Sequence, residues 1–153
     1  MSDLTAARVY EAYDALMSGD RAKAAEYWDP AVRFLTPGHH PYAGWHEGLE
    51  AFVAFINKVN EASGGTFTME PVTVLVNAAD GYSVDVNRTY ATRAHAAPGS
   101  VSPFDRLEIE GLHLLKWENG RVVEGRGAIF GDGMTAFNQW WSPLNPDGTR
   151  TVI

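Results

Sequence analysis

The sequence predicts an α+β fold in which helices come early and antiparallel strands follow. Two observations carry this reading. Apolar residues recur at helical spacing in the segments before Asn60, and from Thr66 onward they alternate, in four segments divided by turn signals. Helices followed by a run of antiparallel strands give a sheet with its helices on one face.

The first helix is expected over residues 5–18, where Val9, Tyr13, Leu16 and Met17 form one stripe and Gly19 ends the run. Asp20 is placed to cap a second, short helix over residues 21–27, stopped by Asp29-Pro30. Residues 31–35 read as a short strand, ended by Thr36-Pro37-Gly38. Residues 39–48, rich in Gly, Pro and aromatics, read as an ordered loop. A third helix over residues 48–60 carries Phe52, Phe55, Ile56 and Val59 on one stripe. The later strands are expected at residues 66–77, 82–94, 104–118 and 121–130. Turns fall at Ala79-Asp80-Gly81 and at Asn119-Gly120, the second a strong hairpin signal. Residues 132–141 read as one more short helix carrying Met134, Phe137, Trp140 and Trp141. Residues 1–142 then form one domain and residues 143–153 a tail.

A chain of 153 residues with 45 % hydrophobic and 20 % charged residues has the make-up of one globular domain. The net charge of −7 argues against nucleic acid and anionic membrane surfaces as partners, since both need clustered Lys and Arg. The absence of cysteine removes disulfides, thiolate metal sites and Cys nucleophiles. The opening segment carries acidic residues and no long apolar run, so it reads as neither a signal peptide nor a membrane span, and a cytoplasmic location is expected. No Gly-rich phosphate loop or nucleophile elbow occurs, and the adjacent His39 and His40 lack further ligands at metal-site spacing. Neither a metal nor a cofactor is expected.

Strand parity sorts the interior, because alternate residues share a face. Along residues 104–117, Leu107, Ile109, Gly111, His113, Leu115 and Trp117 form the apolar, inner set, which places His113 inward. In the strand before it, the apolar set Tyr82, Val84, Val86 and Tyr90 takes Arg88 inward too, with Ser83, Asp85, Asn87 and Thr89 opposite. An inward His is either a satisfied core residue or a pocket hydrogen-bonding group. A buried guanidinium cannot shed its proton, so Arg88 would need a carboxylate, carbonyls, water or an anionic ligand.

Four segments together carry a resemblance. They are Met17-Ser18-Gly19-Asp20; Asp29-Pro30-Ala31-Val32-Arg33-Phe34; Pro37-Gly38 followed by Tyr42-Ala43-Gly44 and Gly48; and the run from Leu112 to Glu124 through Trp117-Glu118-Asn119-Gly120. In order and spacing the chain resembles the SnoaL-like and ketosteroid isomerase-like branch of the nuclear transport factor 2-like superfamily. The resemblance implies a curved antiparallel sheet wrapped around three N-terminal helices, a cystatin-like cone with an apolar pocket. It also implies a homodimer through the sheet's outer face.

Family positions transfer unevenly. Where ketosteroid isomerases carry a carboxylate base before a proline, this chain has Thr36 before Pro37, and threonine is no base at neutral pH. The family's helix tyrosine falls near Ala12, with Tyr13 adjacent. The acid that donates the second hydrogen bond matches His113. SnoaL-like cyclases place an Asp fourteen residues after the pocket His, where this chain has Gly127, and the last Asp of the limonene epoxide hydrolase-like set falls there as well. Asp132 past Gly131, or His39 and His40 beside Pro41-Tyr42, are the substitutes at hand.

The expected catalytic set is therefore His113, Arg88 and Asp132. The pocket is expected to be lined or rimmed by Tyr13, Trp28, Phe34, His39, His40, Tyr42, Trp45, Phe52, Phe55, Tyr90 and Trp117. This points to a cofactor-independent enzyme of isomerase, cyclase or dehydratase type, acting on a small, mostly apolar carbonyl compound. The alternative is a non-catalytic small-molecule-binding or dimerisation domain, suggested by the missing carboxylates at Thr36 and Gly127. Leu112 and Leu114, on the outer face by parity, would then serve a dimer.

Overall fold

The structure, a computed structural model, describes residues 4–151. Helix α1 (Ala6–Met17) opens on Thr5, whose side chain accepts the Arg8 backbone N–H, and buries Val9, Ala12, Tyr13, Ala15 and Leu16. Helix α2 (Arg21–Ala24), capped by Asp20, is shorter than its expected span because strand β1 (Trp28–Thr36) starts ahead of Pro30. The β1 register shifts between Trp28 and Arg33, and such an irregular stretch tolerates a residue without an N–H. A short strand β2 (Gly44–Glu47) lies inside the segment expected to be loop. Helix α3 (Leu49–Ser63) follows and stops at Gly64, which sits in the left-handed region at φ 58°. Then come β3 (Thr68–Asn77), β4 (Tyr82–Thr92), β5 (Arg106–Glu118), β6 (Arg121–Ile129) and helix α4 (Gly133–Trp141). The β5–β6 hairpin turns on Asn119 and Gly120, both at positive φ, as its Asn-Gly pair predicts.

The six strands form one sheet in the order β2-β1-β6-β5-β4-β3. β1 runs parallel to β6, and the other neighbours are antiparallel. This corrects the expected antiparallel, curved-sheet cone around three N-terminal helices. The sheet is mixed, it stays open at its β2 and β3 edges, and only α1 and α2 precede it among the described residues. Helix α3 lies between β2 and β3 in the chain. Periodicity identifies a strand and its faces but not its partner. β1 is separated from β6 by most of the chain, and a parallel pair can form only across such a long connection.

Two apolar clusters hold the fold. One joins α1 and α3 to the sheet through Val9, Leu16, Trp28, Val32, Phe52, Leu115 and Val122. The other joins Phe55 and Val59 of α3 and Leu107 of β5 to Phe137, Trp140 and Trp141 of α4. Full burial of Trp28 and Trp140 leaves no polar atom wasted: the Trp28 indole N–H donates to Ala12 O at 2.8 Å and that of Trp140 to Asp105 O at 3.1 Å. Among the described residues, no helix is long and apolar enough to cross a membrane.

Candidate active site

A cavity of about 110 Å³ lies where the two clusters meet, walled by Tyr13, Phe34, Phe52, Phe55, Ile109 and Phe137. Polar side chains enter it from three strands: His113 on β5, Asn87 and Thr89 on β4, and Thr36 at the end of β1. The β5 parity is as expected. That of β4 is reversed, since Ser83, Asp85, Asn87 and Thr89 are buried while Arg88 is exposed.

The reversal brings Asp85 against His113, its directly opposed residue in the β4–β5 register. His113 Nδ1 and Asp85 Oδ2 are 2.8 Å apart. Asp85 is only 2 % exposed. Its Oδ1 accepts the Tyr13 hydroxyl at 2.8 Å, and its Oδ2 also accepts the Asn87 amide at 2.7 Å. Three donors on one buried carboxylate offset the cost of removing it from water. Burial, and after it the Asp85 charge and hydrogen bond, hold the Tyr13 phenol well above its usual pKa, so it keeps its proton and donates. A carboxylate can only accept, so His113 Nδ1 is the donor of this pair, and Nε2 has no hydrogen-bond partner among the described residues. The ring is held 5.5 Å from that of Tyr13 and 5.6 Å from that of Phe34, centre to centre.

Of the residues anticipated from sequence, Tyr13, Phe34, Phe52, Phe55 and His113 line the cavity. The others do not. Trp28 is core, and Trp117 is seated in the wall behind by donating to Ser83 Oγ at 2.8 Å. Trp45 is an edge residue lying under the Arg33 guanidinium, 3.8 Å from it. His39 is exposed. His40 is buried one layer back: Nδ1 accepts the Tyr42 N–H at 3.1 Å, so Nε2 donates to Pro37 O at 3.0 Å. Burial lowers the His40 pKa to about 4, and the ring packs on Phe137 and Trp141. Tyr42 packs on Trp141 at the edge of a separate outer cleft with Lys58 and Arg93.

Arg88 and Tyr90 sit on the outer sheet face, where the Arg88 guanidinium lies between Glu70, at 3.8 Å, and Glu110, at 3.4 Å. Their expected inward placement fails because the apolar set of β4 is the outer one. Asp132 is exposed at the start of α4 and accepts the Thr135 hydroxyl at 2.8 Å, so the bend after Gly131 carries it away from the cavity.

Asp85, Asn87 and Thr89 are the residues that parity misplaced. A signal existed: Ser83, Asp85, Asn87 and Thr89 are all short polar side chains, whereas the alternate set contains the long, solvent-seeking Arg88. Gly127 and Asp85 flank His113 from the strands on its two sides, so the carboxylate that meets His113 comes from β4 and not from β6. Among the described residues, no three His, Asp or Glu side chains gather as ligands for a metal ion.

The profile of the SnoaL-like domain family matches residues 9–125. The chain belongs to that family, within the nuclear transport factor 2-like superfamily. No curated protein matches this SnoaL-like chain. Among solved structures it is similar to Bal32a from a soil-derived mobile gene cassette, with 29 % identity, a TM-score of 0.75, and coverage of 89 % of this chain and 95 % of that one. It is also similar to a putative SnoaL-like polyketide cyclase from Jannaschia sp. CCS1, at 17 % identity and a TM-score of 0.66, over 94 % of this chain and 99 % of that one. TerC, co-crystallised with polyporic acid, matches at 13 % identity and a TM-score of 0.63, over 80 % of this chain and 88 % of that one. At such identities the last two speak for the fold.

Proposed function

We propose that this SnoaL-like protein moves a proton on a small, mostly apolar carbonyl compound without a cofactor, as an isomerase or cyclase does. The observation that carries this reading is the Asp85–His113 pair, set in the wall of an apolar cavity with Nε2 uncommitted. In that arrangement His113 is the general base. It takes a proton from the carbon next to the substrate carbonyl, and Asp85 stabilises the imidazolium that results. Returning the same proton to another carbon completes an isomerisation. Attack of the enolate on a second carbonyl, with the proton delivered to the new alkoxide, completes an intramolecular aldol closure. The names of neighbours, a putative polyketide cyclase and a protein holding polyporic acid, agree with a small organic ligand in this fold.

A general test needs no knowledge of the natural substrate. Cyclohexanone in deuterated buffer exchanges its α-protons whenever a base removes and returns them, and proton NMR follows the loss of signal. The wild-type protein should speed exchange above buffer, and His113→Ala should lower the catalysed rate by about a hundredfold with the fold intact by circular dichroism. No exchange above buffer with this or other small ketones, together with recovery of a tightly held metabolite that is never converted, would favour the binding-domain reading.

We also propose that two copies pair through the outer face of the sheet. Leu75 is 62 % exposed there. It lies in a cross-strand row with Val84 and Leu114, next to Val86 and Leu112.

A further inference from the structure

Four buried polar side-chain atoms have no hydrogen-bond partner among the described residues: Arg33 Nε, Arg93 Nε, Trp141 Nε1 and Thr36 Oγ1. The first three belong to residues away from the central cavity. Thr36 lines it and is 4 % exposed. A buried hydroxyl is normally bonded, and one left free in the wall of a cavity is a group waiting for a ligand atom.

Its position is set by the sheet. Leu35 of β1 stands beside Arg126 of β6 in parallel register, so Thr36 falls beside Gly127. Gly127 faces His113, and His113 faces Asp85. Thr36, Gly127, His113 and Asp85 thus form one row across four strands on the inner face. Neighbouring strands are about 4.8 Å apart, which puts the Thr36 and His113 backbones about 10 Å apart. The position between them has no side chain. A Cβ on Gly127 would come within 3.1 Å of Pro37 Cδ and 3.6 Å of His113 Cδ2, so glycine keeps that gap open.

We infer that Thr36 donates the hydrogen bond that holds the substrate's carbonyl oxygen in this gap, and that the oxygen is carried on a body about the size of a single ring. The size follows from the cavity: about 110 Å³, against roughly 150 Å³ for an engineered apolar cavity that takes up benzene. The inference rests on the reading of His113 as the base and adds the group that receives the charge. As His113 Nε2 takes the α-proton, the C–H electron pair becomes the C=C bond of the enolate and the carbonyl π pair moves to oxygen. The Thr36 O–H meets that oxygen, and the imidazolium Nε2–H returns the proton. No further reactant is needed.

The test compares Thr36→Val, which keeps the shape and removes the hydroxyl, with Thr36→Ser, which keeps the hydroxyl. Cyclohexanone and methylcyclohexane serve as probes, with affinities from ligand-detected NMR and α-exchange rates of cyclohexanone in deuterated buffer. Wild type should prefer cyclohexanone by about tenfold. Thr36→Val should erase that preference while still taking up methylcyclohexane, and should slow exchange by tenfold to a hundredfold; Thr36→Ser should retain most of both. A Thr36→Val protein that binds methylcyclohexane and still exchanges cyclohexanone at the wild-type rate overturns the inference and leaves the His113 base standing. A wild type that shows the Thr36-dependent preference but no exchange supports the contact and overturns the base.

Discussion

Asp85 does more at His113 than supply charge. Because it accepts from Nδ1, it fixes which nitrogen of the ring is free for chemistry. Asp85→Asn keeps the size but can present an N–H to Nδ1, which moves the ring proton to Nε2 and removes the proposed base. The catalysed exchange of ketone protons should fall by about a hundredfold to ten-thousandfold, with the fold retained. Tyr13→Phe is a milder probe. It deletes one of the three donors to a buried carboxylate and should destabilise the protein by about 1.5–3 kcal/mol in urea unfolding. His113 itself was legible from sequence, through strand parity and through family position. Its partner was not, because the family position for the acid holds Gly127 and nothing local to His113 points to a residue twenty-eight positions earlier.

At the scale of elements, helices and strands were readable because each carries its own period, and most of their bounds fall within a few residues of those anticipated. What one strand cannot tell is which face is inner when both faces mix polar and apolar residues. β4 is such a strand. Its buried face is polar because Trp117, Tyr13 and His113 each bring a group that needs a partner, and Ser83 and Asp85 supply it. Arg88→Ala separates the two parities directly. On the outer face the residue makes only exposed ion pairs, so the change should cost no more than about 1 kcal/mol and leave ketone exchange as it was. The segment joining β1 to β2 offers a second measurement. His40 is held neutral down to about pH 4, below its usual 6.5. Between those values the unfolded chain binds the extra proton and the folded one does not, so stability present above about pH 6.5 is lost as pH falls toward 4. That contribution is of the order of 3 kcal/mol. The urea midpoint of wild type should therefore drop over this window by more than that of His40→Phe; parallel slopes for the two would contradict the assignment.

For the whole molecule, the proposed base and the proposed pairing surface fall on opposite faces of the sheet. Every group of the candidate site, Thr36, Asp85, Asn87 and His113, lies on the inner face and comes from one chain. The outer face carries the row Leu75–Val84–Leu114 and, beside it, Val86 and Leu112. The Glu70–Arg88–Glu110 ion-pair row lies beyond. An apolar band flanked by charge is the pattern of a patch that is covered in solution. Leu114→Arg places a charge at its β6 end, beside Arg126 on the neighbouring strand, so like charges meet where apolar contact was offered. Light scattering should give the wild type about twice the 16.8 kDa of one chain and the variant the mass of one. A wild type already of single-chain mass contradicts the pairing. Because Thr36, Asp85, Asn87 and His113 all lie on the face away from the proposed pairing surface, exchange per chain should be the same for the variant as for the wild type, and unchanged on dilution. A loss of exchange that follows the loss of mass would mean instead that the outer face holds the inner row in register.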